Sequence, residues 1–120
     1  ANNLNVQSIH SNYFTINKKY FNTFNYILEY TFFCAIPIAQ REEYVKNSYN
    51  LLKEDGELIG LLLPINKSQD HRDGPPYGID LDLTLSIFEK YFNIKKIEKS
   101  SYSIPARKDS EIFINLIKKR

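Results

Sequence analysis

The feature that most constrains the fold is the run at residues 57–63, which is apolar apart from Glu57 and Gly60. A run that is apolar on both faces is typical of a central strand in a parallel sheet that helices cover on each side. A second apolar run, residues 24–29, ends in an acid, Glu29, and is predicted to be a buried strand. The two runs together predict an α/β sheet.

Two helices are predicted, one on each side of the 57–63 run along the chain. Pro37 is expected to begin the first helix and Asp80 to N-cap the second, because their apolar positions then recur near the 3.6-residue period. Residues 53–56 are predicted to be a turn in which Gly56 takes the positive φ that ends the first helix. The apolar positions are Ile38, Val45, Tyr49 and Leu52 in the first helix, and Leu81, Leu85, Phe88 and Phe92 in the second.

The rest of the chain supplies three further short strands and one long loop. Residues 5–9, 94–98 and 111–117 are predicted strands, and the last two, with no helix between them, are expected to pair antiparallel at one edge. Residues 64–78 hold polar side chains and a Gly-Pro-Pro-Tyr-Gly segment. Their length and turn chemistry indicate a functional loop over a binding site.

Composition indicates one ordinary globular domain, residues 1–120. A net charge of +2 is too small to indicate nucleic acid or an anionic membrane as the partner. The single cysteine cannot form an internal disulfide. No stretch approaches the roughly 20 apolar residues of a membrane span, and no signal peptide is recognised. We therefore expect a cytoplasmic protein.

Four segments carry a family resemblance, and they occur in the family's order at about its spacing. They are residues 24–37 (FNYILEYTFFCAIP), 51–59 (LLKEDGELI), 74–77 (GPPY) and 103–108 (SIPARK). Together they resemble the thiopurine S-methyltransferase superfamily, and within it most closely the thiol, thiocyanate and halide methyltransferase branch. The resemblance implies an S-adenosylmethionine-dependent methyltransferase.

The implied fold is a Rossmann-like class I methyltransferase sheet with strand order 3-2-1-4-5-7-6. On that map the chain supplies strands 3 to 7 and lacks strands 1 and 2, together with the glycine-rich turn that follows strand 1; no G-x-G occurs. The fourth strand would then expose an unpaired edge, which is an association hazard. Because the chain also starts at Ala1 and contains no Met, we expect a piece of a longer protein. A complementing partner chain or a rearranged fold remain the alternatives.

The resemblance also implies site residues, and neither a catalytic side chain nor a metal ligand is among them. Methyl transfer from a sulfonium is a direct displacement, so the protein mainly aligns the two reactants and removes water. The implied cofactor-binding residues are Asn12, Tyr13, Glu29 and Tyr30. The implied acceptor-binding residues are Tyr30, Phe33, Pro76, Tyr77 and Arg107.

Some of these residues also have a plainer interpretation. Asn12, standing where the family has an acid, offers a neutral acceptor to adenine, or belongs to an ordinary polar turn. Arg107 suits an anionic acceptor, or is a solvated surface residue. Cys34 is expected to be a buried small hydrophobe, and the loop around His71 to be a charged tip without a metal.

Two functions follow from these observations. The first is methyl transfer from S-adenosylmethionine to a small soft nucleophile: a thiol, thiocyanate, hydrosulfide or halide. The alternative is a non-catalytic methyltransferase-like module for binding or assembly, which self-associates or pairs with the missing N-terminal part. The glycine-rich loop discriminates between the two, because an enzyme of this class needs it for the cofactor.

Overall fold

The computed structural model describes residues 13–99 and 110–120, which form one mixed sheet with helices on one of its faces. Three short 3-10 turns, Tyr13–Thr15, Lys18–Tyr20 and Ile38–Gln40, accompany the main elements. In chain order these are β1 (Phe24–Tyr30), α1 (Arg41–Leu51), β2 (Leu52–Leu62), α2 (Leu81–Phe88), β3 (Phe92–Lys99) and β4 (Ile112–Lys118).

The strand order in the sheet is β1-β2-β4-β3. β1 and β2 run parallel, with Glu29 opposite Gly60, whereas β4 is antiparallel to both β2 and β3. The expected antiparallel pair at one edge is confirmed. The order also agrees with the 4-5-7-6 portion of the sheet that the family resemblance implies.

The core lies between the sheet and the two helices. Leu58 and Leu62 of β2 and Ile114 and Leu116 of β4 are fully buried, and they share one cluster with the helical residues that point down onto them. The helical contributions are Tyr44 and Val45 from α1 and Phe88 from α2. Apolar contact with this face of the sheet therefore fixes the positions of both helices.

The opposite face of β1 is apolar but exposed among the described residues. Because side chains alternate along a strand, Tyr26, Leu28 and Tyr30 share the face opposite to that of Glu29. Their exposed fractions are 59%, 80% and 53%. Where the structure is described, β1 pairs with β2 only.

The predicted end of the first helix is wrong. Leu52 was expected on the helix, but it has extended backbone and begins β2, so residues 53–56 belong to the strand instead of a turn. Asp55, not Gly56, takes the positive φ, 64°. Gly56 is required for space, since a Cβ there would lie 2.8 Å from the carbonyl oxygen of Lys53.

The second helix ends earlier than its apolar pattern indicates. Asp80 is confirmed as its N-cap, with a side-chain oxygen that accepts a hydrogen bond from the Leu83 amide at 3.1 Å. Phe92 continues the helical spacing, but the helix ends at Phe88 and Phe92 begins β3. Both rings are buried in the same core, which explains why one apolar pattern runs through two elements.

Residues 64–78 contain no helix or strand, as expected of the predicted loop. The strand predicted at residues 5–9 lies outside the described residues. The expected absence of strands 1 and 2 therefore stays a prediction. No helix in the described part is long and apolar enough to cross a membrane.

We predict that Gly60→Ala lowers the free energy of unfolding by about 1–3 kcal/mol, the usual cost of overpacking. A Cβ at this position would lie 2.0 Å from the carbonyl oxygen of Glu29, so the paired strands would have to separate. Denaturant unfolding measures the loss. Gly74→Ala is the matched control, because the three atoms nearest to its Cβ belong to the side chain of Tyr77 in a loop and not to the backbone of a paired strand. Equal losses in the two variants would contradict the prediction.

Candidate functional site at the carboxyl ends of two parallel strands

A pocket of about 320 Å³ lies where the parallel strands β1 and β2 end. The carboxyl ends of parallel strands are where ligands bind in open α/β sheets. A larger hollow of about 740 Å³ is lined by residues 65–69 and 79–83 and includes no residue of the turn that comes directly after β1. We therefore take the smaller one, the carboxyl-end pocket, as the candidate site. Its lining residues are Thr31, Cys34, Ala35, Leu63, Pro75 and Pro76.

One carboxylate holds the turn that forms a wall of this pocket, residues 31–36. Oε2 of Glu29 accepts hydrogen bonds from the backbone amides of Phe32 and Phe33, each at 3.1 Å. Oε1 accepts a hydrogen bond from the hydroxyl of Tyr44 on α1. Glu29 is only 2% exposed. Its carboxylate therefore links the end of β1, the turn and the helix.

The turn contains a strained residue at the pocket. Thr31 has a φ of 64°, which is rare for a β-branched residue. Its hydroxyl donates to the carbonyl oxygen of Tyr30 at 2.6 Å. Such a conformation costs on the order of 1–3 kcal/mol and persists where surrounding contacts enforce it. The hydrogen bonds from the amides of Phe32 and Phe33 to Glu29, directly after Thr31, hold it in this conformation.

Burial dominates the electrostatics around Glu29. It raises the pKa of Glu29 above the ordinary value of 4.5, although the hydrogen bonds from Tyr44, Phe33 and Phe32 act in the opposite direction. It also raises the pKa of Tyr44 well above 10.0 and that of Tyr13 to about 12, so both hydroxyls remain protonated donors. The Tyr13 hydroxyl lies 2.5 Å from Oγ of Ser48, which donates to the carbonyl oxygen of Tyr44 at 2.9 Å.

Three aromatic rings cluster beside the buried carboxylate. Tyr13 stacks on Tyr44 with ring centroids 5.1 Å apart, and Phe32 lies 5.6 Å from Tyr13. Phe32 is 40% exposed. An exposed aromatic face next to a carboxylate can pack against a heterocycle or attract a cation.

The structure brings two of the predicted cofactor residues together and places a third, Tyr30, apart from them. Tyr13 and Glu29 both contact Tyr44. Tyr30 lies on the other face of the sheet. Phe33 is 1% exposed and packs in the core against the rings of Tyr44 and Phe88.

Of the predicted acceptor residues, Pro76 lines the carboxyl-end pocket. Tyr77 anchors the loop behind it, because its amide donates to the carbonyl oxygen of Cys34 at 2.8 Å. Asn12 and Arg107 lie outside the described residues. Cys34 is 5% exposed, as expected of a buried small side chain.

The sequence pattern did not single out Tyr44 or Arg41. Both are on the buried side of α1, with Val45, Ser48 and Leu51. That periodicity was a usable signal that Tyr44 faces inward, towards the end of β1. No comparable signal marks Arg41, because a charged residue near a helix start ordinarily points to solvent.

The described residues contain no group of three or more His, Cys, Asp or Glu side chains that could hold a metal ion. His71 is exposed in the 64–78 loop, and its Nδ1 lies 3.9 Å from a carboxylate oxygen of Asp70.

We predict that the free energy of unfolding changes with pH through Glu29. Because burial raises its pKa in the folded state, the folded chain retains this proton to a higher pH than the unfolded chain. The contribution of Glu29 to stability is therefore present below about pH 4.5 and is lost as the pH rises through the folded-state pKa. Glu29→Gln removes the titration. The amide oxygen of the introduced glutamine can accept the hydrogen bonds from the Phe32 and Phe33 amides, while its NH2 group donates to the hydroxyl oxygen of Tyr44.

Unfolding by denaturant at several pH values from 4.5 to neutrality measures this effect. Relative to the original chain, Glu29→Gln should gain stability as the pH rises. Glu29→Ala should be less stable at every pH, by on the order of 1–3 kcal/mol for each buried group left unpaired. If the difference in free energy of unfolding between Glu29→Gln and the original chain does not change with pH, Glu29 is not the group responsible.

Comparison with known proteins shows the family to which the chain belongs. The family model described as "Thiopurine S-methyltransferase (TPMT)" matches residues 2–120. Thiocyanate methyltransferase 1 from Arabidopsis thaliana is 42% identical over 93 residues, which is 73% of this chain and 38% of that protein. Thiocyanate methyltransferase 1 from Brassica oleracea is 40% identical over 106 residues, which is 82% of this chain and 46% of that protein. The chain thus spans less than half the length of these relatives.

Solved structures share the fold at low sequence identity. The 1,6-didemethyltoxoflavin-N1-methyltransferase of Burkholderia thailandensis, which contains S-adenosylhomocysteine, aligns with a TM-score of 0.69 at 11% identity. The alignment covers 93% of this chain and 50% of that one. The N-methyltransferase NodS of Bradyrhizobium japonicum, also with S-adenosylhomocysteine, gives 0.69 at 10% identity over 93% of this chain and 54% of that one. The fold is that of S-adenosylmethionine-dependent methyltransferases, and the chain belongs to the thiopurine S-methyltransferase family.

Proposed function

We propose that the chain contributes the acceptor side of an S-adenosylmethionine-dependent methyltransferase that acts on a small soft nucleophile: a thiol, thiocyanate, hydrosulfide or halide. The observation that carries the proposal is the carboxyl-end pocket after β1 and β2. The family membership and the thiocyanate methyltransferase relatives support it.

The pocket lining favours a soft acceptor. It consists of a thiol, a hydroxyl, one alanine, one leucine and two prolines, so no formal charge lines it. Such a surface desolvates a large polarisable anion or a thiolate at less cost than a hard, strongly hydrated one. Its volume of about 320 Å³ is at the small end for ligand sites. These properties suit acceptors of a few atoms.

The residues beside the pocket fit the methyl donor in part. S-adenosylmethionine supplies an activated methyl group on a sulfonium. The exposed face of Phe32 and the adjacent ring of Tyr13 offer the electron-rich surface that attracts a positive sulfonium or packs on adenine. What the chain itself does in the reaction is to orient the acceptor and exclude water, without a proton-transfer group.

The individual site assignments are part of the same proposal. Asn12, Tyr13, Glu29 and Tyr30 are proposed to serve the cofactor, and Tyr30, Phe33, Pro76, Tyr77 and Arg107 the acceptor. Because the Phe33 ring is buried in the core and Tyr30 lies on the other face of β1, these two are proposed to act by supporting the 31–36 turn and not by lining the carboxyl-end pocket. For Glu29 the proposal includes two separable roles. Its carboxylate shapes the 31–36 turn through hydrogen bonds, and its negative charge favours the cationic donor nearby.

A second function, a non-catalytic module that needs a partner chain, is favoured by one observation. Tyr26, Leu28 and Tyr30 form an exposed apolar row on β1, which pairs on one side only among the described residues. Such an edge associates readily with another chain. Pairing with an N-terminal portion or self-association would cover it.

Calorimetric titration of the 120-residue chain with S-adenosylhomocysteine, the product of the proposed reaction, distinguishes the two functions. If the chain alone is an enzyme, it should bind with micromolar affinity. Assays for methyl transfer to thiocyanate, iodide and hydrosulfide would then rank the acceptors. A folded chain that does not bind would exclude the chain alone as an enzyme and favour the module.

Glu29→Gln tests the charge of Glu29 in the same titration. The variant keeps the hydrogen bonds of the turn, so a tenfold or greater loss of affinity, at least about 1.4 kcal/mol, would assign the effect to charge. Glu43→Gln, an exposed substitution on α1, is the matched control and should bind as tightly as the original chain. An unchanged affinity in Glu29→Gln would leave Glu29 with its structural role only.

A further inference from the structure

Arg41 is a buried cation that none of the roles described so far uses. It is the first residue of α1 and only 2% exposed. Its Nη1 donates to the carbonyl oxygen of Gly78 at 2.9 Å and to Oε1 of Gln69 at 3.2 Å. Its Nη2 donates to the carbonyl oxygen of Tyr77 at 3.1 Å. The guanidinium also lies over the ring of Phe33, 4.7 Å from its centroid.

Burying the charge of Arg41 is energetically unfavourable, which indicates that the residue has a specific role at this place. None of the ion pairs found in residues 13–99 and 110–120 involves Arg41, and its Nε lies buried without a hydrogen-bond partner. Removing a charge from water without a counter-ion is unfavourable, and an aliphatic side chain would fill such a place more cheaply. The three acceptors that offset the cost belong to one segment, residues 69–78.

That segment forms the outer wall of the carboxyl-end pocket. Pro75 and Pro76 line it together with Cys34 and Ala35. The amide of Tyr77 donates to the carbonyl oxygen of Cys34, while the carbonyl oxygen of the same residue accepts from Arg41. Tyr77 is thus held from both sides, and the guanidinium fixes where the proline wall stands.

We propose that Arg41 is a positioning residue for the pocket. It holds the 64–78 loop closed against the 31–36 turn through backbone carbonyls, and it does not itself touch the acceptor. The position of the loop follows from the hydrogen bonds of Arg41 to residues 69–78. The effect of Arg41 on turnover rests on the proposed function.

The single cysteine of the chain reports on closure directly. Cys34 is 5% exposed and lines the same pocket as Pro75 and Pro76, so a disulfide reagent such as 5,5′-dithiobis(2-nitrobenzoate) should reach it faster when the loop opens. Arg41→Gln retains at most part of the carbonyl contacts and no charge. We expect it to raise the labelling rate by about tenfold or more, since hydrogen bonds from a charged group are lost. The labelling rate of Arg41→Lys should lie between that of the original chain and that of Arg41→Gln.

Arg72→Gln is the matched control, because Arg72 lies in the same loop but is exposed and pairs with Asp70. Its labelling rate should equal that of the original chain. Unfolding curves for each variant separate loop opening from global unfolding. If Arg41→Gln does not fold, Gln69→Ala tests the same contact more gently, and a smaller increase is expected. A folded variant at either position that labels at the original rate would overturn the proposal.

Enzyme kinetics add a readout that a purely structural role would not affect. Where methyl transfer is measurable, Arg41→Lys should raise the KM for the acceptor severalfold and leave the affinity for S-adenosylhomocysteine unchanged. Equal losses for both ligands would contradict a role confined to the acceptor wall. A chain without transferase activity would count against the proposed function alone, since the labelling experiment requires neither cofactor nor acceptor.

Discussion

The carboxylate of Glu29 is the interaction on which the rest of the site depends. It accepts bonds from two successive amides of the 31–36 turn and from the hydroxyl of Tyr44, so it joins β1 to α1 where the chain leaves the sheet. Without such an acceptor the buried amide of Phe33 and the partly buried amide of Phe32 would lack partners in this turn. It also holds Thr31 at a positive φ on the rim of the pocket.

Arg41 completes the site from the other side. Phe33 stands between the two buried charges, with its amide bound to Glu29 and its ring beneath the Arg41 guanidinium. The acid holds the 31–36 turn, and the cation binds the backbone of the loop that carries Pro75 and Pro76. Each charge is satisfied mainly by backbone groups, so both act as structural clamps. A pocket with uncharged walls thereby lies between two charged supports.

The sequence predicted the parts of the fold that depend on simple periodicity. Apolar runs located β1 and β2, and Asp80 marked the start of α2. Periodicity failed where one apolar pattern continues through a boundary, as from Phe88 to Phe92, and where helix passes into strand without a turn at Leu52. Glu29 was identified by its place at a strand end, but its partner Tyr44 was not, because that contact joins elements distant in sequence. The same holds for Arg41, whose carbonyl partners come from a loop about 36 residues away.

Amide chemical-shift mapping with S-adenosylhomocysteine tests the central claim, that ligand binds where β1 and β2 end, most directly. Binding at this site predicts the largest shifts at Tyr13 and in the 31–36 turn. The Lys118–Arg120 end of the sheet, which bounds a separate hollow with Asn22 and Tyr49, should show little change. Shifts concentrated at that opposite end, with the turn unaffected, would contradict the assignment of the site.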